Sequence, residues 1–308
     1  MSEVREYHIP VTEDGAIAVD CLQQASGISK QKLKQIMQKG CVWLEQSNGK
    51  HKPQPQASEP PITSAYYAQA LANLQQSANK QFIQRLRRAK KALKAGDTLH
   101  FYYDPAVLSS EPSAAELVSD RGDYSVWNKP SGMLSQGSKW GDHCTTYRWA
   151  EKHLTPERAA FIVHRLDRAA SGLIILAHKK TTASAFSKLF EHRQVEKHYQ
   201  VLVEGDFTQA LADGETVKTI RDEIDGKSAC SHVTLLSFDA DTKRSLLDVN
   251  IETGRKHQIR KHLVGIGYPV VGDRLYGEGE HTMDLQLMAA SLKFVCPVSG
   301  EEVEFVVG

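Results

Sequence analysis

One carboxylate between two arginines is the most chemically informative feature of the sequence. Asp167 lies between Arg165 and Arg168 in the run FIVHRLDRAASGL, after one apolar stretch and before another. A carboxylate surrounded by cations stays ionised and can act as a nucleophile or a base. A structural ion pair uses the same residue types, so this segment alone leaves both interpretations open.

Three further segments contain candidate functional residues. They are NKPSG at residues 128–132, KHYQVLVEG at 197–205 and ETGRKHQIRKH at 252–262. Tyr199 offers a flat amphipathic ring that can stack on an extruded base, and a half-buried strand tyrosine is the alternative interpretation. Arg260, taken by itself, is an ordinary cation on a helix surface.

Together these segments resemble the motifs of the RluA family of RNA pseudouridine synthases, in the order in which that family has them. The run HRLD, followed by a basic residue and later by SGL, is the family's signature around its catalytic aspartate. The run GYPVVGDRLYG at 267–277 continues the similarity, which spans residues 122–308. Ala169 and Ala170 depart from the pattern, because the family commonly has a threonine in this stretch.

The resemblance implies a role for several residues. Asp167 is the essential aspartate, which acts on a uridine while its glycosidic bond breaks and the base rejoins the ribose through carbon 5. Arg260 pairs with this aspartate, and Tyr199 packs against the target base. Neither a cofactor nor a metal is implied, because the isomerisation involves no redox change and no external nucleophile.

The residues beside Asp167 are expected to contact RNA. Arg165 and Arg168 are cationic, and Arg168 is expected to reach into the space that the flipped nucleotide leaves. His164 is placed with them, where it positions the loop instead of transferring protons.

The pattern of elements predicts an α+β fold for this region. Strands are expected at 124–128, 171–177, 198–205 and 246–251, and helices at 181–192 and 257–265. No regular β-α-β period appears, so a mixed, mainly antiparallel sheet flanked by helices is favoured over a doubly wound fold. We therefore expect a catalytic domain at 122–308 with the pseudouridine synthase type of sheet.

The formal net charge of +1 conceals a strongly basic block. Residues 30–100 contain thirteen basic and three acidic residues, whereas the rest of the chain is net acidic. Such a block is the electrostatic footprint of a protein that binds a polyanion, and a solvated helix face is the alternative.

The start of the block predicts an amphipathic helix. Ser29 is a suitable N-cap, Leu33, Ile36 and Met37 share one face, and Gly40 ends the helix. The lysines on other faces are candidate RNA contacts: Lys30, Lys32 and Lys34. This helix, the strand after it and a strand near 98–103 resemble the alpha-L RNA-binding module first known from a ribosomal protein, over about residues 10–104. A small α/β RNA-binding domain is therefore expected at 1–104.

An insertion at about 49–94 interrupts this module. Its first part, 49–63, is rich in proline and is expected to be a loop, and residues 65–94 favour a helix by composition. The most basic stretch of that helix supplies further candidates for phosphate contact: Arg85, Arg87, Arg88, Lys90 and Lys91. Residues 105–121 are expected to be a linker between the domains.

Several classes of protein are excluded by pattern. The five cysteines are scattered and form no CxxC pair, so a disulfide framework or zinc site is not expected, and a reducing cytoplasm is the expected location. The histidines lack HExxH spacing, and no GxxxxGK[ST] or GxGxxG motif is present. No apolar run is long enough to cross a bilayer. We expect a cytoplasmic monomer without a membrane partner.

These observations support one main hypothesis and two alternatives. The main hypothesis is an RNA pseudouridine synthase acting on ribosomal RNA, because appended alpha-L modules are typical of such family members. A tRNA substrate is the first alternative. The second is a non-catalytic RNA-binding or assembly factor that keeps the scaffold without turnover.

Overall fold

The chain folds into two compact units. The computed structural model describes residues 3–47, 82–277 and 283–308. Unit 1 contains the described residues up to Ser110 and the segment Ser138–His143, and unit 2 contains Glu111–Gly137 and Cys144–Gly308. Each unit has its own buried apolar core. No helix in the described ranges is long and apolar enough to span a bilayer.

Unit 1 is a small antiparallel sheet with helices. Its strands are β1 (Arg5–Pro10), β2 (Val42–Gln46), β3 (Phe82–Arg85) and β4 (Thr98–Tyr103), in the spatial order β1-β4-β2-β3. Its helices are α1 (Ala18–Ser26), α2 (Lys30–Gln38) and α3 (Pro105–Ser109).

Helix α2 lies where the sequence predicts it. The Ser29 hydroxyl accepts the backbone N–H of Lys32 at 3.4 Å, which satisfies one of the free donors of the first turn. Leu33, Ile36 and Met37 are buried in the core of unit 1. The lysines on the other faces are exposed: Lys30, Lys32 and Lys34.

The helix predicted over 65–94 is wrong for its described part. Residues 82–85 form β3, which pairs with β2 so that Arg85 lies opposite Trp43. The chain from 86 to 94 is irregular, and its Leu86 and Leu93 enter the core. Pairing with a strand edge and burial of two leucines therefore override helix propensity here. The proline-rich loop at 49–63 and the predicted helix before residue 82 lie outside the described residues.

The segment predicted to be a linker, 105–121, is also structured at both ends. Asp104 caps α3, accepting the N–H groups of Ala106 and Val107 at 2.9 and 3.2 Å. Residues Glu116–Asp120 form strand β5, which pairs with the next strand of unit 2. Propensity and proline content identified a break between units but missed the elements that flank it.

Unit 2 is built around a mixed, mainly antiparallel sheet, as the sequence predicts. Its other strands are β6 (Tyr124–Lys129), β7 (Phe161–Ile162), β8 (Ser171–Ala177), β9 (Val195–Glu204), β10 (Val217–Ile220), β11 (Ser231–Asp239), β12 (Arg244–Ile251), β13 (Leu287–Val295) and β14 (Glu302–Val306). Its helices are α4 (Thr146–His153), α5 (Lys180–Glu191) and α6 (Gln258–Gly265), with a 3₁₀ turn at Phe207–Ala210. The central order is β10-β11-β12-β9-β13-β8-β6-β5, with β14 on β13 and β7 on β8.

The register of three neighbouring strands brings distant sequence segments together. Gly172 of β8 is opposite Ala289 of β13 in a parallel pair, and Ala289 is opposite Tyr199 of β9 in an antiparallel pair. Adjacent strands lie about 4.8 Å apart, so the loop that leads into β8 ends about two strand spacings from Tyr199.

Gly172 allows this close approach. Its φ of +104° is disfavoured for other residues, and a Cβ there would lie 2.3 Å from the carbonyl oxygen of Ala289. The glycine of the SGL motif is therefore needed where β8 meets β13.

We predict that Gly172→Ala destabilises the protein by about 2–4 kcal/mol, because backbone strain and steric overlap add together. Gly265→Ala is the matched control, since a Cβ at Gly265 meets no atom within 4 Å. Urea unfolding of both variants measures the difference. Equal stability of the two variants would contradict the strand contact described for Gly172.

Candidate active site

Asp167 lies on a loop between β7 and β8 that is fixed by the turn after β6. The Ser135 hydroxyl donates to the carbonyl of Leu166 at 2.8 Å and accepts the N–H of Leu166 at 3.0 Å. On the other side of Asp167, the N–H of Gly132 donates to the carbonyl of Arg168 at 2.8 Å. The backbone on both sides of the carboxylate is therefore held in place.

Lys129 is the centre of this support. Its side chain is fully buried, and its Nζ donates to backbone carbonyls from the turn and from the Asp167 loop. Those carbonyls belong to Pro130, Met133, Arg168 and Ala170. Burial lowers the pKa of Lys129 to about 8, and the negative charge of Asp167 acts in the opposite direction. The lysine of the NKP segment therefore links the turn after β6 to the Asp167 loop by hydrogen bonds.

The same contacts explain why alanines suffice at 169 and 170. The carbonyl of Ala169 accepts the Ser131 hydroxyl at 2.8 Å, and the carbonyl of Ala170 accepts Lys129. The described contacts hold this part of the loop through its backbone oxygens, which any side chain leaves available.

A buried ion pair holds the arginine that faces Asp167. Arg260 of α6 donates from Nε to Oδ2 of Asp273 at 2.7 Å and from Nη2 to Oδ1 at 2.6 Å. The side chains are 4% and 1% exposed. Burial favours the neutral form of Asp273, but the Arg260 hydrogen bonds outweigh it and lower the pKa of this carboxyl.

The remaining terminal nitrogen of Arg260 faces Asp167, at a longer distance than the two nitrogens bonded to Asp273. Nη1 of Arg260 lies 3.6 Å from Oδ2 of Asp167, and Nε2 of His257 lies 3.8 Å from Oδ1. The resemblance led us to expect Arg260 to pair with Asp167. The two hydrogen bonds of the guanidinium fork go instead to Asp273, and Asp167, 21% exposed, meets the arginine only as an ion pair at 3.6 Å.

His257 completes this side of the site. It caps α6 in the left-handed region at φ +54°, and its Nδ1 is hydrogen-bonded to the Tyr276 hydroxyl at 2.9 Å. Burial is the main cause that lowers the pKa of His257, although Asp167 opposes it, so the imidazole is neutral near pH 7. The Tyr276 ring also lies 5.0 Å from the Arg260 guanidinium.

Tyr199 and Asp167 line one cleft of about 340 Å³, within the size range of small-molecule sites. Burial, with the charge of Asp167, raises the pKa of Tyr199, so the phenol stays neutral. Other walls of the cleft come from the Asp167 loop, from the end of β12 and the segment after it, from α6 and from β13: Arg165, Ala170, Ile251, Arg255, Lys256, His257, Arg260 and Leu287.

The two arginines that flank Asp167 are both exposed. Arg165 lines the cleft. Arg168 donates from Nε to the carbonyl of Gly132 at 3.1 Å.

His164 is in a structural position. Its ring stacks on Phe190 with centroids 4.3 Å apart, and its Nε2 accepts the N–H of Ile175 at 2.9 Å. Burial, with the nearby charge of Lys197, lowers its pKa to about 3, so the ring is neutral and offers no charge to a phosphate.

Arg85 and Arg87 have an internal partner in unit 1. Both reach Oδ2 of Asp142, at 3.3 and 2.5 Å, and their side chains are only 16% and 23% exposed. Arg85 also covers the Trp43 ring at 4.1 Å. These contacts stabilise unit 1 and make both arginines poor candidates for phosphate contact.

Other predicted cations share one surface of unit 1. Four of them line a groove of about 620 Å³, which Arg87 also lines: Lys34, Arg88, Lys90 and Lys91. Of the remaining lysines, Lys30 pairs with Asp20 at 2.8 Å and Lys32 lies 5.8 Å from the Tyr103 ring centre.

One group in the described residues has ligand types that a metal could use. Cys230, His232 and Glu252 have donor atoms within 4.8 Å of one another. Nε2 of His232 is hydrogen-bonded to Glu252 at 2.8 Å, and its Nδ1 lies 3.1 Å from the Thr219 hydroxyl. The three side chains satisfy one another, and three ligands are fewer than the four of a structural zinc site.

Comparison with known proteins identifies the family. A family model described as RNA pseudouridylate synthase matches residues 123–264. An uncharacterised RNA pseudouridine synthase of Chloroflexus aurantiacus is 32% identical over 236 residues, which cover 71% of this chain and 74% of that protein. The chain belongs to the RNA pseudouridine synthase family. It is therefore an isomerase that converts uridine in RNA to pseudouridine.

Other relatives and solved structures are similar to this pseudouridine synthase. A tRNA pseudouridine synthase C of Vibrio parahaemolyticus is 28% identical over 62% of this chain and 89% of that protein. Human RNA pseudouridylate synthase domain containing 1 has a TM-score of 0.52 at 24% identity and covers 65% of this chain and 86% of the human chain. The latter shows the shared fold.

The structure adds three residues that the sequence interpretation did not assign a role. They are Lys129, His257 and Asp273. Each lies inside a segment that resembles a family motif, so the motif signalled their importance. Residue type alone could not show that Lys129 binds carbonyls or that Asp273 takes the arginine fork.

We predict that Asp273→Asn lowers the free energy of unfolding at pH 7 by about 3–5 kcal/mol, because it leaves a buried guanidinium without its charge partner. A lowered carboxyl pKa stabilises the fold above the unfolded-state pKa of about 3.9, and this contribution is lost as pH falls through the folded-state pKa. The difference between wild type and variant should therefore shrink below about pH 4.

Urea unfolding at several pH values tests this prediction. Asp284→Asn is the control, because Asp284 and Arg274 form an exposed pair at 3.8 Å and no measurable change is expected. A variant of Asp273 as stable as the control at pH 7 would show that the buried pair does not carry the stability assigned to it.

Proposed function

We propose that Asp167 is the catalytic residue of this pseudouridine synthase and that Arg260 and Tyr199 assist it. The observation that carries the proposal is the shared cleft. Asp167, partly exposed on its wall, has the Nη1 of Arg260 at 3.6 Å and shares the space with the Tyr199 ring. A fixed cation and an aromatic ring beside a partly exposed carboxylate form a preorganised site in which that carboxylate can meet a substrate.

In the reaction, the uracil leaves the ribose and is then joined to it again through a different atom. The bond from N1 to C1′ breaks, the uracil turns, and a bond from carbon 5 to C1′ forms. A proton leaves carbon 5 and one is gained at N1, so the composition of the nucleotide is unchanged. Asp167 acts on the nucleoside during these steps, and the neutral Tyr199 ring offers the base a surface to pack on while it turns.

Arg260 can assist Asp167 because Asp273 holds its guanidinium in place. Because Nε and Nη2 are held by Asp273, only Nη1 is directed at Asp167, and it stays there without a conformational search. A preorganised cation costs no reorganisation during the reaction. The arginine therefore holds a positive charge beside the carboxylate, while its own position is set by Asp273.

Ribosomal RNA is the proposed substrate, with tRNA as the second candidate. Unit 1 supports an RNA substrate, because its groove lined by cations suits a phosphate backbone. We propose that unit 1 is the alpha-L type of RNA-binding domain that the sequence resembles. The relatives named tRNA pseudouridine synthase C favour the second candidate.

We also propose a cytoplasmic location. All five cysteines are free thiols, which is typical of a reducing compartment. The alternative of a non-catalytic assembly factor is not supported, because the chain belongs to the RNA pseudouridine synthase family and the three residues assigned to catalysis line or border one cleft.

We predict that Asp167→Asn lowers pseudouridine formation by at least about 100-fold, because the amide cannot act as a charged nucleophile or base. Chemical mapping of pseudouridine in ribosomal RNA and tRNA from a deletion strain identifies the target, and complementation with each variant measures activity. Asp241→Asn, in an exposed turn of unit 2, is the control that should rescue fully. An unchanged map in the deletion strain, or rescue by the Asp167 variant, would refute the proposal.

We predict that glutamine at Arg88, Lys90 and Lys91 together weakens RNA binding about 10-fold or more at moderate salt. The slope of log affinity against log salt should become less steep by about 2, since each lost single-strand phosphate contact contributes about 0.7. Lys94→Gln is the control, because Lys94 is an exposed cation of the same basic block that does not line this groove, so the slope should be kept. Unchanged binding by the triple variant would assign these residues to solubility.

A further inference from the structure

A second groove of about 400 Å³ adjoins the Asp167 cleft within unit 2. The two cavities share wall residues, including Arg165, Tyr199 and Arg255. A nucleotide chain attached to a uridine in the first cleft therefore has a direct path into the second groove.

Cations without a carboxylate partner among the described residues line the second groove. Four of them line it: Arg165, Arg193, Lys197 and Arg255. Within the described ranges no carboxylate forms an ion pair with any of the four. Two acidic residues also line the groove, and one of them, Glu252, is already bonded to His232 at 2.8 Å.

Lys197 is the most informative of these cations. It lies partly buried on β9, opposite Leu292 of β13. Burial and the neighbouring charge of Arg193 both lower its pKa, and the ring of His164 beside it is neutral. A partly buried charge without a partner costs free energy, and a bound anion would remove that cost.

We propose that this second groove, the phosphate groove, binds a backbone phosphate of the RNA next to the target uridine. The inference rests on the proposed function, because it assumes that the uridine occupies the Asp167 cleft. Guanidinium forks and a lysine ammonium are the donors that bind phosphate best, through charge-assisted hydrogen bonds. Because the groove adjoins the Asp167 cleft, the phosphate that it binds belongs to the RNA substrate and is not a separate ligand.

The test combines a variant enzyme with a modified RNA. The probe is a synthetic stem-loop that carries the mapped uridine, with the phosphate on its 5′ or 3′ side replaced in turn by a neutral methylphosphonate. Wild type should lose roughly 10- to 100-fold in kcat/KM on one of the two modified RNAs, the loss expected for a charge-assisted hydrogen bond. Lys197→Met should show a similar loss on unmodified RNA and little further loss on that modified RNA.

Two further variants keep the result interpretable. Lys188→Met, on the exposed face of α5 outside the groove, should behave as wild type on all three RNAs. Arg193→Gln changes an exposed side chain and gives the same test if the Lys197 variant does not fold. The modified RNA that shows the effect identifies the side of the uridine that the groove binds.

Two results would overturn the proposal. One is a wild-type enzyme insensitive to both modified RNAs, and the other is a Lys197 variant that remains as sensitive to them as wild type. Equilibrium binding of the same RNAs, measured by fluorescence anisotropy, separates this proposal from the proposed function. If wild type forms no pseudouridine, the catalytic proposal fails, while the binding difference between modified and unmodified RNA still decides whether the phosphate groove exists.

Discussion

The buried ion pair between Arg260 and Asp273 is the interaction on which the site depends. Two charges with side chains 4% and 1% exposed are tolerable because both carboxylate oxygens meet guanidinium nitrogens at 2.6 and 2.7 Å. The pair fixes α6 to the loop that follows it. It also leaves a single nitrogen of the arginine facing Asp167, so one fold-stabilising contact sets the electrostatics of the cleft.

The support of the Asp167 loop follows a different principle. Lys129 and the hydroxyls of Ser131 and Ser135 donate hydrogen bonds to its backbone carbonyls, while the side chain of Asp167 stays partly exposed. Contacts through backbone carbonyls leave the loop's side chains free to vary. Alanines at 169 and 170 are therefore compatible with a rigid loop, which the sequence pattern alone did not reveal.

Basic residues of the same type differ in whether they form ion pairs within the fold. In unit 1, Arg85 and Arg87 form ion pairs with Asp142, and Arg87 also lines the open groove that Lys34, Arg88, Lys90 and Lys91 line. In unit 2, Lys197 and its neighbours have no carboxylate partner in the described ranges and surround the phosphate groove. A count of basic residues finds the basic block at 30–100 but cannot tell which members are already neutralised by the fold.

The sequence by itself determined the family, the mixed antiparallel architecture of unit 2, helix α2 and the segments that build the cleft. These follow from motif order, hydrophobic period and capping, all of which are local in the chain. Only the tertiary structure decided that residues 82–85 form a strand, that the Arg260 fork belongs to Asp273, and that Lys197 lines the phosphate groove. Those outcomes depend on strand pairing and on contacts between residues far apart in sequence, where packing outweighs local propensity.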